Sequence, residues 1–454
     1  MHTPFRLASP VRLALASIAL FGAALGAQSP AQSGPLLQSG PMVGASQMRE
    51  VALWVQTTRP ALVQFAYWDS LVPARKYTTE AVRTAPATAH VAKVLADSVR
   101  PGHVYGYELR INGVAVPRPY PLRFATPALW QYRTDPPPVR IAVASCFYVN
   151  EPEFDRPGTP YGGDYDILGA VTRSRPDLML WMGDNAYLRE GDFDSRTGVF
   201  HRYTHSRSLP ELQPLLAATS HYATWDDHDF GPNDSDRSYG GRFLTRAAFE
   251  LFWANPPLGA DGGGGVTSSF GWSDVDVFQM DNRWYRDGQG RLTGDRNYLG
   301  RNQIEWLLNA LKASRATFKL VVIGGQTVNN SVTFENYATY GAERTFFLDR
   351  LQQEKIPGVI FLTGDKHWTE LSRMERGGSY PLYDLTVSPL TAGPSTGWKS
   401  EQNAFRVEGT LVSDRNFGLL EVTGPLKERV LTITIQDRTG AVRWKRAIPA
   451  SELK

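Results

Sequence analysis

The sequence predicts an α/β protein preceded by a small antiparallel β-sandwich, and three features carry that prediction. Between Met48 and Phe124 apolar residues alternate in short runs. A segment ending in Pro136, Pro137 and Pro138 follows, and beyond it continuous apolar runs are interleaved with helical patterns. Alternation with a period of two marks half-buried strands, whereas short continuous runs mark strands covered on both faces.

Taken in order, residues 1–27 carry Arg6 and Arg12, an apolar stretch from Leu13 to Leu25, and the small residues Gly26 and Ala27. This reads as an export signal cut near Ala27; the apolar stretch falls short of the roughly 20 residues a spanning helix needs. Residues 28–40, rich in Ser, Pro, Gly and Gln, read as a flexible tail. Residues 41–128 form the predicted β-sandwich. Its inward positions are Val51, Leu53 and Val55, then Val63, Phe65 and Tyr67, then Tyr105, Tyr107, Leu109 and Ile111, with turns at Pro101-Gly102 and Asn112-Gly113. Thr126 to Pro138 reads as a stiff linker.

Residues 139–454 form the second domain. Ile141 to Ala144, Leu178 to Met182, Leu320 to Ile323 and Val359 to Leu362 read as buried strands. Ile304, Leu307, Leu308 and Leu311 follow helical spacing, as do Phe347, Leu348 and Leu351. Helices on both sides of a sheet are expected, closed by antiparallel strands from Asn416 onward. Gly262 to Gly265 reads as a mobile loop.

Composition narrows the function. The net charge of +3 includes Arg6 and Arg12, so the mature chain is nearly neutral and offers no electrostatic case for nucleic acid or an anionic membrane. No second apolar stretch is long enough to span a bilayer, and a soluble protein outside the cytoplasm, secreted or periplasmic, is expected. Cys146 is the single cysteine. It excludes an intramolecular disulfide and is either an inert core thiol or a ligand.

The predicted strands end in polar groups. Ser145 and Cys146 follow the first; Gly183, Asp184 and Tyr187 the second. His221 to Trp225 ends in Asp226, Asp227, His228 and Asp229, with Asn233 and Asp234 close behind. Gly324, Gly325, Gln326 and Thr327 follow Ile323, and Gly364, Asp365, Lys366 and His367 follow Leu362. Any one of these is explained by a turn or a helix cap. Their coincidence points to a metal site, because ligands of open α/β sheets sit beyond the carboxyl ends of the strands. Carboxylates, an amide, imidazole and a phenol suit hard or borderline cations, and a phenolate beside a thiolate favours Fe³⁺ over Zn²⁺ alone. A multinuclear cluster of this kind is what phosphate-ester hydrolysis asks for.

At these residues the chain resembles the PhoD-like alkaline phosphatases, within the calcineurin-like metallophosphoesterases. The phrases that carry the resemblance are Ala144-Ser-Cys146, Gly183-Asp-Asn-Ala-Tyr187, Trp225-Asp-Asp-His-Asp229 and Gly364-Asp-Lys-His-Trp368. Asp281-Asn-Arg283 and Leu299-Gly-Arg-Asn-Gln303 support it. It implies a metallophosphoesterase-like α/β sandwich behind a fibronectin III-like domain. The implied protein is a secreted phosphoric ester hydrolase using Fe³⁺ and Ca²⁺, with Zn²⁺ or Mn²⁺ as alternatives. Its implied substrates are small phosphate monoesters or diesters of lipid, nucleotide or polymer origin, attacked by a metal-bound hydroxide. No sequence-specific nucleic acid and no transmembrane segment are expected, and the chain is expected to be monomeric.

Carried over by residue, the resemblance makes Asp184 a metal bridge and Tyr187 and Cys146 iron ligands. Asp227 takes the place of an asparagine ligand, and Asp365 and His367 take the places of a Gly-His-x-His pair. His228 counts both with the metal residues and as the group that protonates the leaving oxygen. Asn233 or Asp234 coordinates Ca²⁺, and Gln326 is carried as a candidate site residue. Arg283 either clamps the substrate phosphate or pairs structurally. Lys366 is read as pointing to solvent, and Trp225 and Trp368 as packing around the site. Two features depart from the family pattern: the Phe-Gly-Pro-Asn-Asp wording at 230–234, and Arg6 and Arg12, which are isolated rather than paired as a twin-arginine signal. The rival functions are a phospholipase or phosphodiesterase with little monoesterase activity, and a non-catalytic surface-binding protein on a retired enzyme fold.

Overall fold

The computed structural model describes residues 34–454. The segment read as an export signal lies outside them. The later part of the segment read as a tail is not flexible: Leu37–Ser46 is a strand. Its Ser39 hydroxyl donates to the Arg207 carbonyl (2.6 Å), and the Gly40 N–H donates to Gln213 (2.8 Å). Leu36 and Leu37 pack against the core behind it, an apolar contribution that the surrounding Ser, Gly and Gln conceal in the composition.

The alternating residues of the N-terminal region do face one core, from Val51, Leu53 and Val55 to Leu109 and Ile111. One sheet is built on Leu62–Asp69 paired antiparallel with Val104–Ile111. The other, made by Leu37–Ser46, Val51–Thr57 and Val91–Ala96, is continuous with the central sheet, because Val43 pairs parallel with Ser220. The proline segment is docked rather than spacing two bodies apart. Trp130 donates to the Ser273 carbonyl (3.1 Å), Ser273 to the Pro137 carbonyl (2.8 Å), and Arg429 to that of Pro136 (3.2 Å).

Beyond Pro138 the chain is α/β, but its buried strands divide between two sheets instead of one. Val139–Ala144, Leu178–Met182 and Ser220–Thr224 run parallel in the first, flanked by Asn416–Thr423, Val430–Asp437 and Val442–Pro449. Val275–Gln279, Phe318–Ile323, Val359–Thr363 and Ser379–Thr386 run parallel in the second. Continuous apolar runs require both faces to be covered, but do not specify whether a helix or another sheet covers them. Here Ile141, Val143, Leu178 and Leu180 share a core with Val277, Leu320 and Ile360 of the other sheet. The alternate residues Ala142, Ala144, Met179 and Trp181 face a second core. The expected helices form as Arg301–Ala313, burying Ile304, Leu307, Leu308 and Leu311, and Gly341–Gln353, burying Phe347, Leu348 and Leu351.

Within Gly262–Gly265, close approach accounts for two of the glycines: a Cβ on Gly264 would lie 2.6 Å from the Trp284 ring, and one on Gly265 would collide with Asp281. No helix among the described residues is long and apolar enough to cross a membrane.

Candidate metal centre

The carboxyl ends of the two sheets meet. The Gly364 N–H donates to the Gly324 carbonyl (2.8 Å), and a Cβ on Gly364 would sit 2.6 Å from Ser145 and 3.0 Å from the Met182 carbonyl. Glycine at that strand end lets the backbones touch and brings the following loops into one cleft. Those loops are bent sharply. Cys146, Asp184, Asp234, Asp365 and His367 all have φ between 54° and 71°. Left-handed backbone costs a non-glycine residue on the order of 1 kcal/mol, and such positions concentrate at functional sites.

Three groups of ligand-type atoms line the cleft, each with its atoms within 4.8 Å of one another: Cys146, Asp184 and His367; Asp184, Asp227 and His228; Asp227, Asp234 and Glu335. Asp184 joins the first to the second and Asp227 the second to the third. Tyr187 completes the first group, its hydroxyl 3.1 Å from Asp184 Oδ2 and 3.3 Å from His367 Nε2. Cys146 Sγ lies 3.6 Å from the same Asp184 oxygen and accepts from Ser388 (3.1 Å). His367 is oriented from behind: its Nδ1 is 2.7 Å from the Gly393 carbonyl, so Nδ1 carries the proton and the Nε2 lone pair faces Tyr187.

In the second group the His228 backbone N–H donates to Asp184 Oδ1 (3.3 Å), and the His228 ring lies 4.1 Å from that of Tyr187, tilted by 31°. Asp226 caps the short helix Asp227–Phe230 in a capping box with Asp229. Asp229 also accepts from the Asn185 and Ala186 N–H groups (3.0 and 3.1 Å), tying two strand-end loops together. In the third group the Asp234 N–H donates to Asp227 Oδ2 (2.8 Å).

Glu335, in the loop after Phe318–Ile323, joins the site although nothing in the sequence marked it. Asp234 rather than Asn233 is the residue placed with it; both are exposed, and Asn233 lines the neighbouring cavity. Asp365 stands outside the three groups, although Asp226, Glu335 and Asp227 all act on its charge.

The phosphate-clamp reading of Arg283 does not fit its surroundings. It is fully buried. Its Nε donates to Asp226 (2.5 Å), Nη1 to Glu335 (2.9 Å) and Nη2 to Glu335 (2.6 Å), so the fork is already filled by protein carboxylates. From there it lies 3.6 Å from Asp227. Gln326 is likewise held away from ligand duty, donating to Glu370 (2.9 Å) and Thr386 (2.8 Å) and accepting from Asn329 (2.7 Å). Lys366 does not reach solvent. It is buried and pairs with the buried Glu401 at 2.8 Å. Trp225 packs on Phe230 and Phe249, and Trp368 is also buried.

The donor set fits cations. Burial, aided by the charge of Asp365, pushes the Cys146 thiol up to about 12. Burial and then Asp184 push the Tyr187 hydroxyl well above its ordinary value. The Asp184 carboxyl is raised by burial, then by Asp227 and Cys146; Asp365 is raised to about 7 and Asp234 to about 6, burial being the first cause in both. Asp227 resists the same burial because His228 and Arg283 hold it low, yet its buried Oδ1 has no hydrogen-bond partner. Acidic groups crowded out of water and a buried carboxylate oxygen without a donor are what positive ions within the cleft would compensate.

Comparison with known proteins gives the chain's family and fold. The family described as PhoD-like phosphatase matches residues 141–416, and a domain of unknown function, DUF7800, matches residues 34–128. Alkaline phosphatase D of Bacillus subtilis (strain 168) is 22% identical over 336 residues, which cover 62% of this chain and 54% of that protein. The chain thus matches about half the length of that relative. A solved structure described as PhoD superposes with a TM-score of 0.72 at 17% identity, covering 92% of this chain and 93% of the other. A purple acid phosphatase from yellow lupin (Lupinus luteus) gives a TM-score of 0.64 at 11% identity, covering 91% and 75%. At those identities the two structures show the fold alone. The family match spans more than half of the 454 residues and contains every one of the grouped side chains from Cys146 to His367, and on it the chain belongs to the PhoD-like phosphatase family.

Proposed function

We propose that the chain is an exported, metal-dependent phosphoric ester hydrolase. In this reading Cys146, Asp184, Tyr187 and His367 hold Fe³⁺, and Asp227, Asp234 and Glu335, with Asp184 and His228 beside them, hold Ca²⁺. The observation that carries it is the sharing of Asp184 and Asp227 between neighbouring groups. Carboxylates that bridge adjacent cation positions suit a reaction in which several phosphate oxygens must be neutralised at once.

Cations bound there supply charge for the phosphoryl oxygens and acidify the attacking water. The side chains do the rest. Asp184 and Asp227, each shared by two groups, would hold neighbouring cations, and Arg283 keeps Asp226 and Glu335 in place from behind. The His228 ring, backed by Tyr187, borders the adjoining cavity, where it is placed to give a proton to the departing oxygen. No covalent protein nucleophile is required.

Hydrolysis of 4-nitrophenyl phosphate and bis(4-nitrophenyl) phosphate, measured after chelation and again after adding Fe and Ca²⁺, tests the proposal. Restored turnover is expected; inactivity of the reloaded protein on both esters would refute it. The ratio of the two rates also separates a monoesterase from a phosphodiesterase.

Two ligand assignments have their own readouts. The iron-loaded protein should show a visible phenolate charge-transfer band, bleached or shifted in Tyr187→Phe; an unchanged spectrum removes Tyr187 from the iron. Glu335→Gln keeps a neutral hydrogen-bonding group opposite Arg283 while removing a charge, so bound calcium should fall while iron stays. Full calcium content in that variant would put Glu335 outside the calcium shell.

A further inference from the structure

Next to the metal centre lies a cavity of about 480 Å³, a volume in the range of small-molecule sites. Its outer wall is a compact loop. Asn150 and Gly162 close the base of that loop by two reciprocal hydrogen bonds, Asn150 Nδ2 to the Gly162 carbonyl and the Gly162 N–H to Asn150 Oδ1, both 2.8 Å. Inside, Asp155 accepts from Tyr148 (2.8 Å), the Glu151 N–H (2.7 Å) and Arg189 (2.9 Å). Closed loops of this length are often functional, and this one is tied to the flanking Tyr148 and Arg189 as well as to its own Glu151 N–H.

The loop turns Tyr161 inward. Its ring lies 5.0 Å from that of Tyr148, 6.4 Å from Tyr187 and 5.7 Å from His367, and its hydroxyl is 3.0 Å from His367 Nδ1. Tyr161 nevertheless keeps 44% of its surface exposed and lines the cavity. The charges at the wall are satisfied within the protein. Arg189 neutralises Asp155, and the exposed Arg156 and Glu190 stand 3.8 Å apart. Among the described lining residues each of these charges thus has an opposite charge beside it, Arg156 and Glu190 at the solvent-exposed rim. His228 borders both this cavity and the Asp184–Asp227 group, which puts the cavity on the side where the alcohol departs.

We infer that this cavity is a leaving-group pocket for a neutral, ring-bearing alcohol, with Tyr161 as its stacking face and the Asn150–Gly162 loop as the specificity element. The inference rests on the hydrolase reading above. Stacking on an aromatic face adds to the burial of the ring itself, so a preference for esters with a planar ring is the expected consequence.

The test compares 2-phenylethyl phosphate with n-propyl phosphate, whose alcohols are of similar acidity, so that departure chemistry is matched. In the iron- and calcium-loaded protein, kcat/KM should favour the phenyl ester by about tenfold or more. Tyr161→Ala, which removes the face, and Thr159→Trp, which fills the cavity from an exposed position, should each bring the ratio towards one, with most of the loss on the phenyl ester. Equal rates in the native protein, or a ratio unmoved by both variants, would overturn the pocket and leave the hydrolase reading standing. Hydrolysis of neither ester by native protein that turns over a 4-nitrophenyl ester would likewise overturn the pocket, whereas inactivity on the 4-nitrophenyl mono- and diesters as well would remove the hydrolase reading on which the pocket depends.

Discussion

Asp184→Ala is expected to abolish phosphoester hydrolysis and to lower the content of both cations together. Asp184 is the carboxylate common to the Cys146–His367 and Asp227–His228 groups, so its loss opens two cation positions at once. The fall in kcat/KM should exceed the roughly 10²- to 10³-fold that deleting one transition-state donor costs. Its signature is the joint loss: by comparison, Cys146→Ala should lower iron and leave calcium largely in place. An Asp184→Ala protein that kept iron and calcium at native levels would show that the carboxylate is not a bridge.

Arg283→Ala should produce the largest loss of stability of any single change near the site. Its guanidinium faces Asp226 and Glu335, and all three side chains are buried. Truncation would leave two carboxylates out of water with their chief partner gone, a situation that costs roughly 3–5 kcal/mol. Arg286 still reaches Glu335 at 2.6 Å and softens only that half of the loss. Lysine should not restore stability, because a single ammonium cannot replace the guanidinium fork that spans both acids. Guanidinium chloride unfolding of the metal-free proteins measures this without interference from ligand binding. A midpoint within error of the native one would mean that the buried pairing contributes nothing and that Arg283 is free for another task.

The contrast between Arg283 and Asp184 shows what the sequence made legible. Cys146, Asp184, Tyr187, Asp227, His228 and His367 were found because each closely follows an apolar run, and strand ends of an α/β domain converge. Glu335 was missed because it lies in a polar loop, between the exposed Phe334 and the buried Asn336, well past its strand. Its partners Arg283 and Arg286 are 52 and 49 residues away, a relation no local pattern records. Asn233 and Asp234 could not be separated from spacing alone; the fold places the Asp234 carboxylate with Asp227 and Glu335. Lys366 was read as solvent-facing because nothing nearby announces its partner Glu401. The fold divides in the same way. Apolar runs identified the buried strands, but burial on two faces does not say what lies on each, so two facing sheets were read as one.

Metal content measured with activity on the same sample tests the central claim most directly. Protein purified without chelator, analysed for its elements and assayed in parallel, should contain iron together with calcium at more than one ion per chain in total. Chelation should remove hydrolysis, and restoring both metals should return it. Protein that holds neither metal and hydrolyses no phosphate ester after both are supplied would contradict a metal-dependent hydrolase built on Asp184 and Asp227.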